Sequence, residues 1–196
     1  EQCYGLFVDI NNTLYCSLIH DHIVVKRWLD DDDINTLTTV VGGTGQFGSS
    51  SNRLNTPHGI FVDTNFDLYV ADARNDRIQL FPLGELNGKT VAGDGSTDIT
   101  FTLKYPTGII LDSDKYLFIV DSNHRRIIGS DSNGFRCLVG CSDSSGSTFT
   151  ELKDPFALSF DIVGNIFVTY PFNNTIQKFI LLTNSTNFTN VTNSSI

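Results

Sequence analysis

Four aspartates are the residues of this chain whose spacing most resembles a chemical array. Asp63, Asp112 and Asp161 are spaced by 49 residues, and Asp9 precedes Asp63 by 54. Carboxylates repeated on one interval could form a catalytic or metal-binding set. Their surroundings repeat with them, in the phrases YGLFVDINNTLYCSL, HGIFVDTNFDLYVAD, TGIILDSDKYLFIVD and FALSFDIVGNIFVTY. In each phrase a small residue and a short apolar run lead to Asp, a polar turn follows, and a second apolar run begins. A period of this size marks one supersecondary unit used several times. Each aspartate then ends a strand in its own unit and serves turn geometry.

Other residue sets invite a chemical reading. Asp72 with Arg77, and Asp121 with Arg126, stand five apart across a second turn, as a catalytic ion pair could. Their recurrence at the same point of two units favours a structural turn pair of salt bridge and hydrogen bonds. The run Asp30–Asp33 suggests calcium, but a calcium loop needs alternating carboxylates and a Gly turn, so a solvated loop is expected. The stretch from Gly42 to Gly45 lacks the Lys and the helix that would hold a phosphate. The chain contains no GxSxG, HExxH or P-loop motif. No catalytic residue and no cofactor are assigned.

The elements that position these residues are short strands. In the second unit Gly59–Val62, Leu68–Ala71, Arg77–Phe81 and Lys89–Ala92 alternate with turns at Asp63–Asp67 and Asp72–Asp76, with no helical period. The third unit gives Gly108–Leu111, Tyr116–Val120, Arg126–Ile128 and Phe135–Val139. The first gives Gly5–Val8, Thr13–Leu18, Ile23–Trp28 and Leu37–Val41. The fourth gives Ala157–Phe160, Asn165–Thr169 and Thr175–Leu181, and its fourth strand is replaced by a polar tail. Pro57, Pro106 and Pro155 stand two residues before Gly59, Gly108 and Ala157, where Pro fixes the approach to a strand without removing a ladder hydrogen bond. Four-stranded antiparallel units repeating at this interval are the pattern of β-propeller blades. The blades run about 3–41, 57–92, 106–139 and 155–181 within a 1–182 propeller segment, and 183–196 reads as an Asn/Thr/Ser-rich linker.

Composition narrows the compartment and the partners. A formal charge of −9 and scattered basic residues argue against a phosphate backbone, so no nucleic-acid partner is expected. No apolar run reaches the roughly 20 residues of a membrane helix, so no membrane insertion is expected within this segment. Because Glu1 falls inside a strand phrase, the chain is expected to be a mature or excised piece. N-x-[ST] sequons occur at Asn11, Asn173, Asn184, Asn187, Asn190 and Asn193, making these the candidate glycosylation sites of an extracellular or lumenal protein. Four cysteines, Cys3, Cys16, Cys137 and Cys141, are disulfide candidates. If Val8 faces Leu14, Cys3 falls opposite Ile19, an imperfect register for Cys16. On a straight strand Cys137 and Cys141 would be about 13 Å apart, beyond the ~7 Å limit of a bridge, unless the chain bends at Gly140.

The phrases LNTPHGIFVDTNFDLYVADARNDRIQLF and LKYPTGIILDSDKYLFIVDSNHRRI resemble NHL repeats. The resemblance extends from Cys3 to about Leu182. It is weaker in the first and fourth units, where Leu18 and Tyr170 replace Asp72 and Asp121 and Ile23 and Thr175 replace Arg77 and Arg126. It implies an all-β propeller, usually six-bladed, so the four blades present are expected to be part of such a ring, with a closed four-bladed ring as the alternative. Such propellers serve several functions. The expected one is a non-enzymatic extracellular scaffold for a protein, peptide or glycan partner. The alternatives are a lyase or hydrolase resembling peptidyl-hydroxyglycine amidating lyase, and the substrate-recognition propeller of an NHL-type ubiquitin ligase. The amidating lyases hold axial zinc with a histidine in a Pro-His phrase like that of His58. At the repeat-equivalent places stand Tyr4, Thr107 and Phe156, so no second ligand is supplied there and a polar lining residue is expected.

Overall fold

The computed structural model describes residues 2–30, 37–43, 45–97, 101–141, 152–181 and 188–194. In them the strands form four antiparallel sheets of four strands, each in chain order. The first sheet comprises β1 (Cys3–Val8), β2 (Thr13–Leu18), β3 (Ile23–Trp28) and β4 (Thr38–Val41). The second comprises β5 (Pro57–Val62), β6 (Leu68–Asp72), β7 (Arg77–Phe81) and β8 (Lys89–Gly93). The third comprises β9 (Pro106–Leu111), β10 (Leu117–Asp121), β11 (Arg126–Asp131) and β12 (Gly134–Val139). The fourth comprises β13 (Leu158–Phe160), β14 (Ile166–Tyr170), β15 (Thr175–Leu181) and β16 (Phe188–Ser194). The chain divides into two compact units, Glu1–Ile109 and Ile110–Ile196.

Alternation along each strand gives every sheet two faces, and residues paired across strands share one. Phe7 pairs with Tyr15, and Ser17 with Val24, so Phe7, Tyr15 and Val24 lie on one face of the first sheet. In the first unit Tyr15, Val24 and Val41 form a core with Ile60, Val62, Leu68, Val70 and Phe81 of the second sheet. Leu54, from the loop ahead of β5, is fully buried in the same cluster. The second unit repeats this arrangement with Val120, Ile127 and Val139 against Ile166, Val168, Tyr170 and Phe179, and with Leu152 in the place of Leu54. Burying each such side chain contributes about 1.5–3 kcal/mol.

The other face of β1 is open. Leu6, Val8 and Ile10 are 64%, 46% and 75% exposed, whereas Ile60 and Val62, their equivalents of Leu6 and Val8 in β5, are 6% and 4% exposed.

Small residues early in the first strands have a steric cause. A Cβ on Gly5 would strike the His58 carbonyl oxygen, and one on Gly59 would meet the Thr107 carbonyl at 2.5 Å. The first strands of the first unit therefore run side by side at close range. Ser17 ties the approach, accepting from the Gly5 N–H at 2.7 Å and donating to the His58 carbonyl at 2.6 Å.

The fourth sheet departs from the sequence expectation. Phe188–Ser194, inside the stretch read as a linker, forms β16 and pairs with β15. Its Thr and Val content suits an edge strand, and it pairs the backbone row that β15 would otherwise present alone.

Candidate functional site

The recurring aspartates are turn residues, and they act identically. Asp9 Oδ1 accepts the N–H groups of Asn11 and Thr13, both at 2.9 Å. Asp63 Oδ1 takes Asn65 at 2.8 Å and Asp67 at 3.0 Å, and Asp112 Oδ1 takes Asp114 at 3.0 Å and Tyr116 at 2.9 Å. Asp161 Oδ1 takes Val163 at 3.1 Å and Asn165 at 2.9 Å. Each turn bends through a left-handed residue: Asn12, Phe66, Lys115 or Gly164. Asp9 also accepts from the buried Tyr15 hydroxyl at 3.2 Å, and burial first, then Asp9, pushes that phenol up to about 12. The Asn165 side-chain amide, followed by backbone N–H groups and Lys178, holds the Asp161 carboxyl well below the usual range.

Asp72 and Arg77 meet at 2.8 Å across the second turn, with the aspartate side chain fully buried. The Asp72 carboxylate also accepts from Asn55 N–H at 2.6 Å and the Asn75 amide at 2.7 Å. Arg77 reaches the carbonyls of Ser49, Ser50 and Arg53 at 2.7, 3.1 and 3.1 Å. Burial pushes the Asp72 pKa up, opposed by the Asn75 amide, the Asn55 N–H and Arg77. Asp121 pairs with Arg126 at 2.8 Å and with His124 Nδ1 at 2.9 Å. At the corresponding places Leu18 is buried in the first sheet and Tyr170 is packed in the second unit's core, where burial raises its phenol.

His58 occupies the start of β5 and is 5% exposed. Its ring packs edge-to-face with Tyr4 at a centroid distance of 5.6 Å and with Tyr105 at 5.2 Å. Its Nε2 shares a hydrogen bond of 3.1 Å with the Tyr105 hydroxyl. Burial lowers its pKa to about 4, so the imidazole is neutral near pH 7. Of the repeat-equivalent residues, Tyr4 is exposed and Thr107 is buried. Among the described residues no group of three or more His, Cys, Asp or Glu side chains is placed to hold a metal ion. The His58 ring lies against two tyrosines, an arrangement suited to stacking and hydrogen bonding.

A second histidine has a role that no sequence motif announced. His22 Nδ1 accepts the Thr56 N–H at 3.0 Å. One sheet later Asp76 Oδ1 accepts the Tyr105 N–H at 2.8 Å. Thr56, Tyr105 and Asp154, each before a proline, all have positive φ, as do the second-turn residues His22, Asp76, Arg125 and Asn174. A residue before proline ordinarily avoids helical backbone. In the first unit, therefore, a second-turn side chain latches the chain ahead of the next sheet's first strand. The sequence signal was the Leu-x-x-Pro phrase at Leu54, Leu103 and Leu152, whose Leu is buried each time.

Both disulfides form. Cys3 and Cys16 bond with Cα atoms 5.6 Å apart. Val8 does face Leu14, but a register shift between Cys3 and Gly5 brings Cys3 opposite Leu18 instead of Ile19. Cys137 and Cys141 bond with Cα atoms 5.9 Å apart, the chain bending at Gly140 with φ of 75°. Asn11 and Asn173 are exposed in turns, while Asn190 and Asn193 belong to β16. Asp31 to Asp33, Asn184 and Asn187 lie outside the described residues.

No protein-family profile matches the sequence, and no curated protein sequence matches it significantly. The fold does have solved neighbours. A catalytically inactive virginiamycin B lyase from Staphylococcus aureus, solved with quinupristin, aligns with TM-score 0.62 and 14% identity. That alignment covers 96% of this chain and 54% of the lyase, so the chain spans about half the lyase's length. A chain of a nidogen/laminin complex aligns with TM-score 0.58 and 18% identity, covering 90% of this chain and 74% of the neighbour. A gluconolactonase from Xanthomonas campestris aligns with TM-score 0.62 and 14% identity, covering 89% and 57%. The fold is propeller-like. These neighbours are β-propeller proteins that include both lyases and a chain from a protein complex, and identities this low carry the fold and no activity.

Proposed function

We propose that this chain belongs to a non-enzymatic NHL-like propeller of an extracellular or lumenal compartment, which binds a protein, peptide or glycan partner. The observation that carries the reading is the Tyr4–His58–Tyr105 cluster. It joins an exposed aromatic edge to a buried, neutral histidine. The two disulfides favour an oxidising compartment, and the neighbour drawn from a nidogen/laminin complex is compatible with protein binding. Disulfides of this kind tell against the cytosolic ubiquitin-ligase alternative. The pairs Asp72–Arg77 and Asp121–Arg126 brace turns in this reading and touch no ligand.

The purified chain is to be screened against immobilised extracellular proteins, peptides and glycans, with Tyr4→Ala as the surface variant. Binding that Tyr4→Ala weakens while the melting temperature holds supports the proposal. Turnover of a lactone or a peptidyl-hydroxyglycine substrate, lost in His58→Ala, would replace it with the enzymatic reading. That second reading is favoured by the lyase and gluconolactonase neighbours.

The finer architecture is a six-bladed ring in which another sheet covers Leu6 and Val8, as the first sheet covers Ile60 and Val62. In the intact protein Leu6→Asp then lowers the melting temperature by several degrees, for a loss of about 1–3 kcal/mol. An unchanged melting temperature would make Leu6 a surface residue.

A further inference from the structure

Trp28 is the chain's single tryptophan and is 59% exposed, yet it is held in place. Its indole Nε1–H donates to the Asn11 carbonyl at 3.0 Å. It lies directly across the β2–β3 ladder from Thr13, and its neighbour Leu29 donates its N–H to the Asn12 carbonyl at 2.8 Å. Asn11, Asn12 and Thr13 are the sequon of the first turn. The corresponding places in the other sheets hold Pro82, Asp131 and Ile180, so the indole occurs in the sheet that carries a sequon in this turn.

The turn itself is built to present its asparagine. Asp9 fixes the N–H groups of Asn11 and Thr13, and Asn12 takes a left-handed φ of 57°. Asn11 is exposed, and among the described residues its side-chain amide has no hydrogen-bond partner. Exposed Ile10, Trp28 and Leu29 leave apolar surface around it. A pyranose carries one polar edge and one C–H-rich face, and an indole suits that face because its π surface is the negative part of its quadrupole.

We propose that Asn11 carries an N-linked glycan whose first N-acetylglucosamine lies on the Trp28 indole. The bond formed joins Asn11 Nδ2 to the anomeric carbon of the sugar, with a lipid pyrophosphate as the leaving group and one amide proton released. The stacked sugar covers the apolar surface at the first turn. This inference rests on the extracellular or lumenal reading of the chain, and the other sequons separate the two.

The experiment uses the protein secreted from cultured eukaryotic cells, with glycopeptide mass analysis and fluorescence of its one tryptophan. A glycan is expected at Asn11 and is absent from Asn11→Gln. An endoglycosidase that leaves the first N-acetylglucosamine should leave emission and acrylamide quenching unchanged. An amidase that removes that sugar should shift the emission to the red and speed quenching, and Asn173→Gln should alter neither. A glycan at any other sequon with Asn11 bare overturns this inference alone, while bare asparagines at all six sequons overturn the compartment reading with it. An occupied Asn11 whose complete deglycosylation leaves Trp28 emission unchanged refutes the stacking.

Discussion

Asp72 is fully buried, and its carboxylate oxygens receive a guanidinium, an amide and a backbone N–H. Removing the carboxylate leaves Arg77 only neutral carbonyl partners and a buried charge without its counter-ion, so Asp72→Ala should cost about 3–5 kcal/mol in a denaturant melt. An unchanged midpoint would restore Asp72 to the list of chemically active groups. Lys115 gives the opposite prediction. It is exposed and holds φ of 65°, which glycine adopts without strain, so Lys115→Gly should gain about 1 kcal/mol. Histidine sets the response to acid. The His58 pKa falls from 6.5 to about 4 through burial, and the His22 pKa is also lowered by burial. A depressed pKa means the neutral ring is the form the fold keeps. Stability from these two is complete above pH ~6.5 and declines below it; for His58 the loss is about 3 kcal/mol as pH falls toward ~4. His22 loses its acceptor for the Thr56 N–H on protonation. A melting temperature flat from pH 7 to pH 4 would refute this account, and His58→Gln should remove most of the slope.

At the scale of elements, the strands were legible because their apolar runs alternate and their turns repeat. The second sheet's strands fall within a residue or two of the segments read from Gly59 to Ala92. The hidden parts depend on contacts that no local pattern records. The shift that lets Cys3 reach Cys16 falls between Cys3 and Gly5, where the backbone passes close to His58. β16 has the Asn and Ser content of a linker, and its pairing depends on the edge that β15 offers. No local pattern singles out Leu54, because its burial comes from two sheets closing over one loop. Leu54→Ala should cost about 2–5 kcal/mol, measured by chemical unfolding. A loss below about 0.5 kcal/mol would mean that the loop does not help hold the two sheets together.

For the whole molecule, the two disulfides act on unequal loops. Cys3 and Cys16 are separated by 13 residues, Cys137 and Cys141 by 4. Loop-closure entropy makes the longer bridge worth about 3 kcal/mol and the shorter one less. Cys3→Ser with Cys16→Ser should therefore lower the unfolding midpoint more than the paired Ser variant at Cys137 and Cys141, and the reverse order would place the larger constraint at the short bridge. The net charge of −9 bears on recognition, since it slows approach to acidic partners and favours basic ones at low salt. The chemically suggestive spacing of the sequence turned out to be turn architecture. The more informative residues are those where the repeats differ, His58 beside its tyrosines and Trp28 beside Asn11.

The latches from His22 to Thr56 and from Asp76 to Tyr105 each close just ahead of a proline. Written from proline to proline, a unit therefore looks like a cassette that could be exchanged whole. A graft of residues 57–105 would carry Asp76 along with its donor, the Tyr105 N–H, and would leave His22 with Thr56. It would still part the His58 carbonyl from Ser17, whose hydroxyl donates to it from the sheet before. Gly5 would have to be matched as well, since the backbone there passes against His58. For anyone recombining such repeats, the seam to rebuild is the line between neighbouring first strands.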